Sequence, residues 1–331
     1  EYYIWKKNSC RYGCRYYFSM DEGVAKFNIM LSEELKKFST EISSKIHSDY
    51  NLKKSNWFNI GGKTKVYFRP DNLSDLILFL KRFGKKEKIY ILGAGSNTLI
   101  SDNIFNGVVI RLGKNFSNIS ILPNNVIVAG SGCLDKKLSD FALENGIGGL
   151  EFLACIPGTV GGGLKMNAGC FKKEFKDILV SIQAIDKEGK VLTIPANKVI
   201  FEYRKNDLPN DLIFLSASFK GEKKDKDKIQ KEVFELKNRK DSTQPTKIKT
   251  SGSTFKNPIN QTDKKVWELI KESVQLDTSF GDACISDKHC NFFVNKNNAS
   301  FNDMNKLIKF VQEAVKKKTG ITLEKEIKIL E

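Results

Sequence analysis

Between Gly148 and Cys170 glycine recurs far above its background around a single proline, Pro157. Each glycine there loses much conformational freedom on folding and offers no side chain to pack, so the run cannot be an ordinary helix or strand. Flexible linkers are also glycine-rich, but they are Ser-rich and poor in large apolar side chains. Here Leu150, Phe152, Leu153, Ile156, Val160, Leu164 and Met166 are interleaved with the glycines. The apolar residues would anchor the run in a core. Gly158, Gly161, Gly162 and Gly163 would let main-chain N–H groups approach something bulky. Consecutive N–H groups in turn conformations form an electropositive nest suited to phosphate, so the run points to a nucleotide without saying which.

The chain has 331 residues and 40% hydrophobic content, enough for two or three domains with substantial cores. Its 55 Lys and Arg against 39 Asp and Glu give a formal charge of +16, which favours acidic partners: nucleic acid, an anionic membrane surface or a phosphorylated small molecule. No segment reaches the roughly 18 consecutive apolar residues that span a bilayer, and the first residues lack the apolar core of a signal peptide. A soluble cytoplasmic protein is expected, with no membrane partner. The seven cysteines are scattered and mostly in apolar surroundings, the pattern of buried thiols rather than of a disulfide framework. Cys10 and Cys14 lack the second pair that structural zinc requires, so no metal site is expected.

Residues 1–29 are aromatic and basic without a clear period and read as an extension of unknown role. A helical pattern begins at Leu31, and from Trp57 to Arg111 short apolar runs alternate with a helical pattern at Asn72 to Phe83, an α+β or α/β start. Residues 116–222 hold several strand-like runs: Ile119 to Leu122, Asn125 to Val128, Ile178 to Ile185, Val191 to Ile194 and Leu212 to Phe219. Lys220 to Arg239 is a charged run with Ile229, Val233 and Leu236 at helical spacing, which reads as a solvated helix at a domain boundary. Further helices are expected at Asp263 to Ser273 and at Asn302 to Lys318, the latter presenting Leu307, Ile308, Phe310, Val311 and Val315 on one side. Ile321 to Leu330 alternates as a strand does.

Gly93-Ala94-Gly95 follows the apolar run Ile89 to Leu92, as a dinucleotide-binding fingerprint would. Position 98 is Thr instead of the third glycine, and the following residues lead into another strand with no long helix to receive a pyrophosphate. A Rossmann domain is therefore disfavoured.

Taken in order, Gly61-Gly62, Gly93 to Asn97, Gly149 to Phe152, Ile156 to Gly162, Met166 to Ala168, Tyr203-Arg204, Ser251 to Pro258, Lys288 to Phe292 and Leu323 to Ile327 resemble the UDP-N-acetylenolpyruvoylglucosamine reductases over roughly residues 50 to 331. The resemblance implies an α+β chain. A two-domain FAD-binding fold of the vanillyl-alcohol-oxidase (PCMH) type would occupy residues 30–115 and 116–222, with a third α+β substrate-binding domain at 223–319. It also suggests that the C-terminal strand at 320–331 returns to the second of these. By the same resemblance Gly61, Gly62, Gly93, Ala94, Gly95, Ser96 and Asn97 would bind non-covalent FAD together with Ile156, Pro157, Gly158, Thr159, Gly161, Gly162, Asn167 and Ala168. Ser96 and Asn97 would supply side-chain donors to its pyrophosphate.

The implied reaction takes a hydride from NADPH through the flavin to the enolpyruvyl ether of UDP-N-acetylglucosamine. Negative charge then develops on the carbon bearing the carboxylate. Arg204, always charged and able to grip a carboxylate in a fork, would stabilise it. Glu326 would orient or share in stabilising the intermediate in protonated form, and Ser253 would deliver the proton. Tyr203, Lys256, Asn257 and Lys288 would meet the UDP-sugar. Read without the resemblance, Arg204 fits a surface ion pair, Glu326 the solvated face of a strand, and Ser253 a turn cap. Cys155 stands where such reductases usually have glycine, Gly163 where alanine is frequent, and Asn56 near a frequent threonine. The short substrate region resembles the second type, which lacks a tyrosine-bearing loop. A covalent flavin oxidase is a rival reading with few histidines to carry it, since only His47 and His289 are present. A nucleic-acid-binding module finds no recognised motif, so small-molecule partners are expected, with a monomer favoured.

Overall fold

The computed structural model describes residues 33–246 and 248–331. The chain divides into two units, Glu1–Ser43 and Ser44–Glu331. Among the described residues of the first, 33–41 are helical. The extension at 1–29, with Cys10 and Cys14, lies outside the described residues. The second unit opens with strands β1 (Lys45–Asn51), β2 (Lys63–Arg69), β3 (Ile89–Ile91), β4 (Thr98–Ile100) and β5 (Phe105–Ile110). One sheet has the order β1-β2-β5-β3, with β1 antiparallel to β2 and both β2 and β3 parallel to β5. Parallel neighbours need a crossover, and helix α1 (Leu73–Phe83) supplies it. Its start is fixed by Asn72, whose side chain accepts the Asp75 N–H at 2.8 Å. Leu76, Phe79, Leu80 and Phe83 recur at helical spacing and are buried. Each such side chain contributes about 1.5–3 kcal/mol of burial.

The Gly93 to Asn97 turn leads into β4 and not into a helix, which is why a Rossmann pyrophosphate site is absent from this part of the chain. β4 pairs in parallel with the C-terminal strand Lys328–Leu330, Ile329 opposite Leu99. The expectation that this strand joins the 116–222 region is thereby corrected. The physical reason is burial: Ile327 shares a core with Leu99, and Leu330 shares one with Ile100.

Strands β6 (Ile119–Leu122), β7 (Val126–Gly130), β8 (Leu179–Ile185), β9 (Val191–Pro195) and β10 (Ile213–Lys220) form an antiparallel sheet in the order β9-β8-β10-β7-β6. All five were expected from their apolar runs. Helices α2 (Asp135–Glu144) and α3 (Val160–Met166) accompany this sheet, and Leu138, Val160 and Leu164 join Ile127, Ile182 and Phe219 in one core. The charged helix α4 (Lys226–Thr243) buries Ile229 and Val233 and leaves Phe234 exposed.

The last segment packs α5 (Val266–Ser273) and α6 (Phe301–Thr319) with a small antiparallel sheet of β11 (Ser279–Phe280), β12 (Ala283–Ile285) and β13 (Phe293–Asn295). α6 begins at Ser300 with a capping box to Asp303 and ends at Gly320, whose φ of 75° suits a residue without Cβ. Leu307, Ile308, Val311 and Val315 are buried as expected, but Phe310 is 39% exposed beside Phe280, and Met304 takes the buried place instead. No helix among the described residues is long and apolar enough to cross a membrane.

Candidate active site

A cavity of about 1270 Å³ opens between the β3–β4 turn, the glycine-rich run, the Tyr203-Arg204 turn, the Ser251 to Ser253 loop and the C-terminal strand. Gly93 to Asn97 and Ile156 to Thr159 line one side of it, joined by Gly161, Gly162 and Ala168. Glycine permits the close approaches here: a Cβ on Gly93 would lie 2.7 Å from Thr159 Oγ1 of the other loop, and one on Gly95 would lie 2.2 Å from the Ser55 carbonyl. Gly95 also has a φ of 70°, which glycine adopts without penalty. Thr159 caps α3 by accepting the Gly162 N–H at 3.4 Å.

Three expected cofactor residues lie elsewhere. Gly61 and Gly62 pack against the end of β4, where a Cβ on Gly62 would lie 2.1 Å from the Asp102 carbonyl. Their small size lets the chain pack closely there. Asn167 is fully buried at the left-handed end of α3 and donates to Glu174 Oε2 at 3.0 Å and to the Glu202 carbonyl at 3.1 Å. It holds the Tyr203-Arg204 turn to the glycine-rich run.

Arg204, Ser253 and Glu326 all line the cavity. Arg204 occupies the tip of a tight hairpin in which Glu202 pairs with Lys205. Its φ of 59° is left-handed, a conformation that ordinary side chains adopt at a cost of about 1–2 kcal/mol. The turn aims the guanidinium so that Nε donates to Glu326 Oε1 at 2.9 Å and Nη2 donates to the Gly169 carbonyl at 3.1 Å. The Arg204 and Glu326 side chains are 18% and 16% exposed. Burial pushes the Glu326 carboxyl above the usual carboxylate range, with the Arg204 charge pulling the other way. Burial works against the Arg204 charge, but Glu326, Tyr203 and Glu174 together more than offset it and the group stays cationic.

The segment carrying Glu326, just before the C-terminal strand, is tied to both other parts of the site. Asn97 Nδ2 donates to the Glu326 carbonyl at 3.2 Å, and the Lys328 N–H donates to the Asn97 carbonyl at 2.9 Å. The Glu326 N–H donates to the Thr254 carbonyl at 2.8 Å, next to Ser253. Gly252 permits the turn before Ser253 with a φ of 77°. Asn291 then fixes that loop: its Oδ1 accepts the Phe255 N–H at 3.0 Å, its Nδ2 donates to the Phe255 carbonyl at 2.9 Å, and its backbone carbonyl accepts the Thr254 N–H at 2.8 Å. Sequence reasoning quoted Asn291 within a motif and gave it no task.

Of the expected substrate residues, Lys256 lines the cavity and pairs with Glu324 at 2.6 Å. Tyr203 and Asn257 sit just outside the lining. Asn257 Nδ2 donates to Tyr203 Oη at 3.4 Å, and its Oδ1 accepts the first N–H of α5 from Val266 at 3.0 Å. The Tyr203 ring lies 4.9 Å beneath the Arg204 guanidinium. Lys288 is apart from the cavity and donates to the Asp241 carbonyl of α4.

Cys155 does not crowd the loop. It is buried at the end of a 3-10 turn, and its carbonyl accepts Lys240 Nζ at 2.7 Å, while the nearby Cys170 thiol donates to the Phe152 carbonyl at 3.2 Å. The neighbouring Cys170 thiol, with Lys240 and Lys237 nearby, brings Cys155 down to about 7, and Cys155 in turn pushes Cys170 up. Gly163 is required by packing, since a Cβ there would lie 2.2 Å from the Phe175 ring.

The cavity suits a long anionic ligand. Lys165 and Lys328 on its wall are both held below the usual lysine range, first by burial and then by neighbouring cations. An arriving phosphate or carboxylate relieves that repulsion. Buried Ser131, Asp135 and Thr250 also line it with side-chain oxygens that have no hydrogen-bond partner. Sequence reasoning missed all five. Glycines at the wall, unpartnered buried oxygens and lysines short of counter-charge are what a dinucleotide with a diphosphate needs from a protein.

Comparison with known proteins agrees. Residues 64–195 match the "FAD binding domain" family, and residues 244–330 match the "UDP-N-acetylenolpyruvoylglucosamine reductase, C-terminal domain" family. The UDP-N-acetylenolpyruvoylglucosamine reductase of Pelagibacter ubique is 80% identical over 91% of this chain and 100% of its own length. That of Rickettsia conorii is 45% identical over 87% of this chain and 96% of its own. The crystal structure of the Thermus caldophilus reductase superimposes with a TM-score of 0.76 at 29% identity, covering 87% of this chain and 100% of that one. FAD is the cofactor, held in an α+β fold like that of the Thermus caldophilus reductase, and the chain belongs to the UDP-N-acetylenolpyruvoylglucosamine reductase family.

Proposed function

We propose that this enzyme reduces UDP-N-acetylglucosamine enolpyruvate to UDP-N-acetylmuramate, a peptidoglycan precursor, in the cytoplasm with NADPH as the electron source. The observation that carries this reading is the convergence of Arg204, Glu326 and Ser253 on the cavity that the Gly93 to Asn97 and Ile156 to Gly162 loops also line. FAD bound there supplies hydride relay from the nicotinamide to the terminal carbon of the double bond.

The protein's part is to manage the charge that follows. Hydride addition leaves an electron pair on the carbon bearing the carboxylate, and an always-charged guanidinium is the strongest side-chain donor to such a group. Arg204 is held ready by Glu326 and the Gly169 carbonyl. Glu326, whose carboxyl keeps its proton more readily than a solvated one, orients Arg204 and shares in binding the developing carboxylate. Ser253, on a loop clamped by Asn291, gives its proton to the carbanionic carbon. Lys256 draws in the UDP-sugar diphosphate with help from Lys165 and Lys328, and Tyr203 and Asn257 support that wall. The separate cores of the five-stranded sheet and of the α5–α6 region support distinct roles for 116–222 in holding FAD and for 223–319 in holding substrate.

Anaerobic stopped-flow of the two half-reactions tests the assignment. Ser253→Ala should leave reduction of the flavin by NADPH largely intact and slow reoxidation by the enolpyruvyl sugar by about 10²–10⁴. Wild-type rates in both halves would remove Ser253 as the donor.

A further inference from the structure

Asp135 is the first residue of helix α2, it is 0% exposed, and neither carboxyl oxygen has a hydrogen-bond partner. Yet it lines the cofactor cavity, as does Ser131, 3% exposed and likewise unpartnered. The backbone holds both in place against the glycine-rich run. The Asp135 N–H donates to the Gly158 carbonyl at 3.1 Å, the Val160 N–H donates to the Cys133 carbonyl at 2.9 Å, and the Gly161 N–H donates to the Ser131 carbonyl at 2.9 Å. Gly158 makes room for the acid: a Cβ there would lie 2.9 Å from Asp135 Oδ2 and 3.9 Å from Ser96 Oγ. The carboxyl therefore sits where the Pro157-Gly158 turn and the Ser96 loop meet.

We propose that Asp135 donates a hydrogen bond from its carboxyl to a phosphate oxygen of the bound FAD, with the Ser131 hydroxyl as a second donor beside it. Leaving a buried polar group unpartnered is costly, and native proteins avoid it unless a ligand or water completes the bonding. An ionised carboxylate would repel the diphosphate, but full burial with neither oxygen partnered favours the neutral acid and pushes Asp135 well above the usual carboxylate range. A protonated carboxyl facing an anionic oxygen forms a short, charge-assisted bond. Selectivity follows, since the acid offers a donor to phosphate and repels it once the proton is lost.

This inference rests on the FAD-binding reading of the cavity and adds a residue to it. The test is fluorescence-quenching titration of the deflavinated protein with FAD, using wild type, Asp135→Asn, Asp135→Leu and Ser131→Ala. Asn keeps a neutral donor at nearly the same size and should bind FAD within about threefold of wild type. Leu keeps the volume and removes the donor, and should weaken binding about 10- to 100-fold, the range for a lost hydrogen bond to a charged partner. Infrared difference spectra on FAD addition should show a perturbed protonated-carboxyl band in wild type that is missing in Asp135→Asn. Asp135→Leu binding FAD as wild type does, or Asp135→Asn as weak as Asp135→Leu, would overturn the proposal. Failure of the wild-type protein to bind FAD would instead overturn the reading on which it rests.

Discussion

Arg204→Lys keeps the positive charge and the strained turn but removes the fork. The guanidinium now spans two acceptors, Glu326 Oε1 at 2.9 Å and the Gly169 carbonyl at 3.1 Å, while leaving its remaining N–H groups for a substrate carboxylate. A lysine ammonium on a single stem reaches one acceptor at a time. Losing one hydrogen bond to a charged group is worth about 1.5–3 kcal/mol. If that falls on the charge-developing step, the substrate half-reaction should slow about 10- to 150-fold, at 1.36 kcal/mol per decade. The assay is anaerobic mixing of the reduced enzyme with the enolpyruvyl sugar, followed through the return of oxidised-flavin absorbance. Reduction by NADPH should stay within about twofold of wild type. Lysine suffers the same left-handed strain as arginine at φ 59°, so folding stability should fall by no more than that one hydrogen bond, about 1.5–3 kcal/mol. A substrate half-reaction within about threefold of wild type, or equal slowing of both halves, would refute the reasoning.

Gly163→Ala should destabilise the fold by about 1–3 kcal/mol in denaturant titration, because the new methyl would sit 2.2 Å from the Phe175 ring in a packed core; an unchanged midpoint would show that Phe175 moves freely. In the deflavinated protein at neutral pH, iodoacetamide should modify Cys155, at about 7, well before Cys133, which burial pushes up to about 11; peptide mapping that finds Cys133 labelled first would contradict the pairing with Cys170. The Asp135 acid carries a stability signature of its own. Its folded-state pKa is raised above the unfolded value, so the FAD-free protein has the full contribution only below about pH 4 and loses it as pH rises towards the folded value. Asp135→Asn escapes that loss and should gain on wild type as pH rises above about 4; a difference that stays constant with pH would mean the acid does not hold its proton.

Much of the fold was legible because apolar periodicity is a local property. Asn72 capping α1, the runs that became β6 to β10 and the one-sided apolar stripe of α6 could all be read directly. The partner of the C-terminal strand could not, since Ile329 meets Leu99 across most of the chain and alternation says nothing about which edge a strand will find. The site divides in the same way. Glycine reports that something approaches the backbone closely, which placed Gly93, Gly95 and Gly158 on the cavity but also drew in Gly61 and Gly62, whose neighbour is the chain itself. Asn167 was visible only through resemblance, and the sequence did not show that it ends α3 as a buried donor to Glu174 and Glu202. Asp135 was invisible for a related reason: an acid in the first turn of a helix is ordinary, and only burial without a partner sets this one apart. Arg204, Ser253 and Glu326 became visible through resemblance, and the structure adds why they can cooperate, through Asn97, Thr254 and Asn291.

The central claim is that one cavity joins FAD to an enolpyruvyl sugar through Arg204, Glu326 and Ser253. A single-turnover experiment tests it most directly: enzyme reduced with one equivalent of NADPH in the absence of oxygen, mixed with UDP-N-acetylglucosamine enolpyruvate, with flavin absorbance and product measured together. The account predicts that oxidised flavin returns in step with one equivalent of UDP-N-acetylmuramate per flavin. Flavin that stays reduced, or that reoxidises without forming that product, would contradict it.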